Sequence, residues 1–160
     1  MRHTISLLVE NRFGALSRIS GLFSARGYNI ESLTVAPTVD PTVSRMTIVT
    51  NGDDKVVEQI VKQLNKQVDV IKVWNVSERE YIGRELILVR VSSSEKRRDE
   101  VLRVAQVFGA KVIDVGTETV ALEMMGDEQE VENFINALKP LGIKELIRTG
   151  LVAMLKEQSK

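Results

Sequence analysis

The chain has 160 residues, enough for one mid-sized domain or two small ones. Lysine plus arginine and aspartate plus glutamate are each 22, so the formal net charge is zero and no basic footprint for nucleic acid is present. With no cysteine and one histidine, His3, the chain excludes disulfides, thiolate nucleophiles and zinc–thiolate sites, and leaves no His cluster for a metal.

Near the N-terminus the apolar stretch Ile5 to Val9 is too short for a signal segment or a membrane span. The expectation is a soluble cytoplasmic protein. Thr4 to Glu10 reads as a strand with Ile5, Leu7 and Val9 on one face. Ala15, Leu16, Ile19, Leu22 and Phe23 follow at helical spacing. Gly14 opens that helix, and Gly27 stands just past its end, where a left-handed residue commonly sits. Ile30 to Ala36 and Arg45 to Thr50 read as a hairpin around Pro37, Asp40 and Pro41. Val56, Val57, Ile60, Val61 and Leu64 stripe a second helix, with Asp53 or Asp54 as its N-cap. Val68 to Val76 closes a β-α-β-β-α-β order.

Ser77 to Glu85 is charge-dense without a sustained period and reads as a linker. The order then recurs. Leu86 to Val91 is a strand, and Val101, Leu102, Ala105 and Phe108 line a helix closed by Gly109. Lys111 to Val115 and Thr119 to Met124 form a hairpin. Gly126-Asp127 echoes Gly52-Asp53 before a helix striped by Val131, Phe134, Ile135 and Leu138. The offset between halves falls from 82 residues at Gly27 and Gly109 to 74 at Gly52 and Gly126, so the second hairpin is shorter by eight. The reading is an α+β chain of two tandem ferredoxin-like domains, residues 1–77 and 78–160. Leu8 beside Leu7 and Val9, and Leu86 and Leu88 beside Ile87 and Val89, make the strands apolar on both faces. Such strands are usually buried on both, so a second copy of the chain is expected.

The first strand–helix loop, Glu10 to Leu16, is the most informative. Gly14 admits close approach of another group, and the helix start offers free N–H donors and a positive dipole end. Asn11 supplies both a donor and an acceptor, as a zwitterion's carboxylate and ammonium require. The loop reads as an amino-acid site or as a plain helix start with an Asn turn. Asn29 bonds a ligand or closes its own turn. Met46, Met124 and Met125 fit a core, and Glu95 to Glu100 fits a solvated helix start. Trp74 fits a half-exposed strand or a partner contact. An acylphosphatase-type enzyme would use Arg12, Asn11 and Gly14, but the loop has no run of glycines to wrap a phosphate.

Three segments carry a resemblance: Gly14-Ala15-Leu16-Ser17-Arg18, Gly27-Tyr28-Asn29-Ile30-Glu31-Ser32-Leu33-Thr34-Val35 and Ser44-Arg45-Met46-Thr47-Ile48. They resemble the N-terminal ACT domain of the acetolactate (acetohydroxyacid) synthase small subunit. Arg84-Glu85-Leu86, Arg98-Asp99-Glu100-Val101 and the run Leu141 to Gly150 continue the likeness into the second half. The resemblance implies a regulatory subunit that is not itself an enzyme. Its partner would be a larger catalytic chain carrying thiamine diphosphate, a divalent metal (magnesium) and FAD, on the route to valine, leucine and isoleucine, and this chain would carry no cofactor. It implies a homodimer, activation of the large subunit, and feedback inhibition by valine at an ACT–ACT interface. The matching effector residues are Asn11, Gly14, Ala15 and Leu16 from one chain with Asn29 and Ile30 from the other; Ser17 and Ala36 lie nearby. Phe13 stands where many relatives have proline, which bears on effector preference. The alternative is a stand-alone amino-acid sensor of this fold; those that control transcription add a helix-turn-helix, and no segment is left to supply one.

Overall fold

The computed structural model describes residues 1–157. In chain order the first repeat is β1 (Arg2–Glu10), α1 (Ala15–Ala25), β2 (Ile30–Pro37), β3 (Val43–Asn51), α2 (Asp54–Leu64) and β4 (Val70–Asn75). The second is β5 (Tyr81–Ser92), α3 (Arg98–Phe108), β6 (Lys111–Val115), β7 (Thr119–Gly126), α4 (Glu128–Leu138) and β8 (Ile143–Arg148). A further strand, β9 (Val152–Leu155), pairs with β5. The first sheet has the order β2-β3-β1-β4, and the second has β6-β7-β5-β8. The ladders between these neighbours are antiparallel. The architecture is therefore the expected α+β repeat.

Local chemistry explains the repeat. Gly27 and Gly109 both take positive φ, 69° and 65°. At each, the following N–H reaches back over the helix end: Tyr28 to the Phe23 carbonyl at 2.9 Å, Ala110 to the Ala105 carbonyl at 2.8 Å. That is the same helix stop used twice. Asp53 caps α2 by accepting from the Val56 N–H at 2.8 Å. Asp127 caps α4 in the same way, and Glu130 returns the bond to the Asp127 N–H. The first hairpin has both longer strands and a longer loop, which accounts for six of the eight extra residues.

Each unit has its own core. In the first, Ile5, Leu7 and Val9 meet Met46 and Ile48, Ile19 and Phe23 of α1, and Val57, Ile60 and Leu64 of α2. In the second, Ile87, Val89 and Val91 pack on Val101, Ala105, Phe134 and Leu138. Phe108 packs on Phe134 with ring centroids 5.3 Å apart. Leu102, read as part of that stripe, is 39% exposed; Val104 supplies the inward contact instead.

The stretch read as a linker has more structure than expected. Val76 to Glu78 form a short 3-10 turn with Val76 fully buried, and β5 already starts at Tyr81. Its alternation was hidden because an inward position is filled by a charge, Glu85, which is 5% exposed and paired to Arg148. Two compact units result. One comprises Met1–Ile82 with the described residues from Leu151, and the other Gly83–Gly150, against expected domains of 1–77 and 78–160.

The face of the first sheet away from its helices is also more polar than expected. Beside Leu8, β1 presents Thr4 and Ser6 there, and Arg45 of β3 donates to the Ser6 hydroxyl at 2.8 Å. Arg45 also lies 4.4 Å from the centre of the Trp74 ring. The matching face of the second sheet is mixed as well: Leu86 and Leu88 on β5, with Met125 and Ile147 on their flanks, share it with Arg90 of β5, Glu123 of β7 and Glu145 of β8.

Candidate functional site

The loop after β1 is held from three sides. The Asn11 N–H donates to the Thr42 carbonyl at 2.8 Å, and the Asn11 Nδ2 donates to the Pro41 carbonyl at 3.0 Å. One N–H of its side-chain amide is thus committed to the first hairpin, and its Oδ1 remains an acceptor. Glu10 donates its N–H to the Asp69 carbonyl at 2.8 Å. Arg18, one turn into α1, closes the third side. Its Nε meets the Asp69 carboxylate at 2.5 Å, and its Nη2 donates to the Phe13 carbonyl at 3.2 Å.

Gly14 is the N-cap of α1, with φ 81° and no side-chain cap. The Ala15 N–H goes to the Arg12 carbonyl at 3.2 Å and the Arg18 N–H to the Gly14 carbonyl at 3.0 Å. Those of Leu16 and Ser17 meet no acceptor among the described residues. Free donors at a helix start favour an anion. Ala15 is buried, Leu16 is 44% exposed, and Phe13 is wholly exposed. The bulk of Phe13 therefore points away from the loop's packing.

Charge is concentrated beneath the loop. The Asp69 side chain is 5% exposed, whereas Arg18 is 46% exposed. The hydrogen bond from Arg18 holds the Asp69 carboxyl below its ordinary range, helped by the charges of Arg18 and Arg12 against the cost of burial. The same bond raises Arg18. Arg12 itself reaches Glu10 at 2.9 Å. Neither Arg18 nor Asp69 was singled out from sequence. The only signal there was an acid and a base 51 residues apart, which nothing local connects.

The remaining site residues lie elsewhere. Asn29 is exposed before β2, and its carbonyl accepts from the Thr50 hydroxyl at 2.6 Å. Ile30 pairs with Thr50, which pairs with His3 at the start of β1. Glu10, beside Asn11, pairs with Val43 at the other end of β3. Seven residues of strand separate the two levels, about 23 Å at strand rise. One chain therefore does not bring Asn29 and Ile30 to Asn11 and Gly14. Ala36 does lie at the loop's end of the sheet, opposite Arg45, which is opposite Leu8. Ser17 is exposed on the first turn of α1.

Among the described residues, no group of three or more His, Asp or Glu could hold a metal ion. No helix of the described chain is long and apolar enough to cross a membrane.

Comparison with known proteins covers both halves. Residues 5–72 match the family described as AHAS small subunit-like ACT domain. Residues 84–157 match the family described as small subunit of acetolactate synthase. A probable acetolactate synthase small subunit of Archaeoglobus fulgidus is 49% identical over 160 residues, all of both chains. The acetolactate synthase small subunit of Haemophilus influenzae is 49% identical over 155 residues, 96% of this chain and 95% of that one. The solved small subunit from Thermotoga maritima is 38% identical, covers 99% of both chains and superposes with a TM-score of 0.88.

Proposed function

We propose a function from one premise: this chain belongs to the acetolactate synthase small-subunit family. It is a small, regulatory subunit in branched-chain amino-acid biosynthesis. In our reading it raises the activity of a separate large catalytic subunit and makes that activity sensitive to valine. The condensation, with its thiamine diphosphate, metal and FAD, is assigned to the large subunit, and this chain supplies control.

The observation that carries the effector reading is the loop at Gly14. It combines unpaired N–H groups at a helix start with an open acceptor on Asn11. A carboxylate suits the first and an ammonium the second. The exposed part of Leu16 offers apolar surface of the size a small aliphatic side chain covers.

The second half of the site is supplied by a second copy. β2 is an edge strand of the first sheet, so its outer N–H and C=O groups are open to pairing. Antiparallel pairing of β2 with β2 of another chain reverses direction across the joint. The Asn29 end of one strand then meets the Ala36 end of the other, beside that chain's Gly14 loop. A two-fold axis yields two equal sites. The 23 Å separation within one chain, about seven residues of strand, supports this arrangement.

Reconstitution tests the reading. The large subunit is assayed for acetolactate formation alone, with this chain, and with this chain plus valine. The expected result is a rise on adding the chain and a fall on adding valine. A rate indifferent to both overturns the regulatory reading. Valine binding without any effect on acetolactate formation would instead favour a sensor for another enzyme.

A further inference from the structure

The geometry points to Arg18 as the residue that selects for the effector's carboxylate, with Asp69 as the residue that positions it. The inference rests on the effector reading given above and extends it to two residues outside the loop motif.

Four observations converge. First, the guanidinium lies directly over Gly14: a Cβ placed there would stand 2.7 Å from Arg18 Nη1 and 3.4 Å from Cζ. Second, the donors of Arg18 are divided. Nε serves Asp69, Nη2 serves the Phe13 carbonyl, and Nη1 meets no partner among the described residues. Third, the anchor is fixed. Asp69 is buried, and its own carbonyl accepts from Glu10, so it cannot follow Arg18 outward. Fourth, the unpaired N–H groups of Leu16 and Ser17 belong to the turn that opens at Gly14, where the guanidinium lies.

A carboxylate at Gly14 would therefore meet neutral N–H donors and one cationic N–H. Charge-assisted bonds of that kind are the stronger ones, and the planar fork of arginine keeps its direction once one edge is tied. Lysine has the charge without the fork. Arg12 is a second cation near the loop, but it is 69% exposed and tied to Glu10, and Arg45, at the loop's end of the sheet, is engaged with Ser6 and Trp74. The role of Asp69 is to keep a long, half-exposed side chain from leaving the site for solvent.

The test uses the full chain and two probes, valine and valinamide, which share a side chain and differ in the carboxylate. Calorimetry is run on wild type, Arg18→Met, Arg18→Lys and Asp69→Asn, with thermal melts to show that each is folded. Wild type is expected to prefer valine. Arg18→Met is expected to lose about tenfold or more in valine affinity, the loss typical of a hydrogen bond to a charged group, and to bring the two probes close to parity. Asp69→Asn is expected to show the same pattern more weakly. Should Arg18→Met not fold, Arg18→Lys carries the comparison, with a reduced preference for valine. Wild-type affinity and preference in a folded Arg18 variant would overturn the role of Arg18 and leave the effector reading standing. Failure of wild type to bind valine would remove the effector reading and this inference together.

Discussion

At Gly14 the absence of a side chain serves two ends. It allows φ of 81°, which L side chains rarely adopt, and it leaves room for the Arg18 guanidinium. Gly14→Asp would place a carboxylate against Arg18 in competition with Asp69, and against the effector's own carboxylate. The expected outcome is loss of valine inhibition in the reconstituted enzyme; an unchanged valine response would contradict it. The repulsion is foreseeable from sequence, but the displacement of Arg18 is not, because its partner Asp69 is brought in by the start of β4. Arg148 shows the same limit. It holds buried Glu85 through two bonds of 2.8 Å and Glu132 at 3.0 Å. Arg148→Ala leaves Glu85 buried without a counter-charge. Breaking a buried pair costs about 3–5 kcal/mol, and partial exposure of Arg148 reduces this to about 2–3. Urea unfolding measures it; a loss under about 0.5 kcal/mol, the scale of an exposed pair, would contradict the account.

At the scale of elements, local signals were legible and non-local ones were not. The helix stops at Gly27 and Gly109 need only neighbouring backbone, so sequence spacing located them; for α2 it offered Asp53 or Asp54, and the cap is Asp53, with Asp127 its counterpart on α4. The start of β5 was missed because Glu85 reads as linker charge until Arg148 is placed beside it. β9 was missed because four residues are too few to show a period. The loop residues were likewise legible as a set, whereas the tie from Asn11 to the first hairpin was not. That tie gives the hairpin a task in our account: it holds Asn11 in the loop. Replacing residues 38–42 by a two-residue turn is expected to weaken the valine response. An unchanged valine response in the shortened chain would contradict this role. Asn11→Ala, which keeps the hairpin, is expected to affect the valine response alone.

For the whole molecule, register is the main constraint. Asn29 and Ile30 stand at one end of the first sheet, Asn11 and Gly14 at the other. Sequence named both groups as one site through resemblance, and the strand register holds them about 23 Å apart within one chain, which is why our reading takes the second group from another copy. The expectation of a partner from apolar strand faces is weaker for the first sheet, where Thr4, Ser6 and Arg45 share the outer face. On the second sheet the exposed Met125 and Ile147 share the outer face with Arg90, Glu123 and Glu145, so the apolar argument is diluted there too. Effector binding at a joint between chains stabilises one joint geometry over others, which is how a small ligand can bias a larger assembly.

The central claim is that each effector site takes its loop from one chain and Asn29 from another. Mixed dimers test it most directly. Gly14→Asp and Asn29→Ala chains, each expected to bind valine poorly alone, are unfolded together, refolded and titrated with valine by calorimetry. A two-chain site gathers both changes into one of the two sites of a mixed dimer and leaves the other intact. Random pairing then restores about one quarter of the wild-type sites, by the symmetry of a two-fold dimer. A mixture that binds no better than the separate variants would contradict the account.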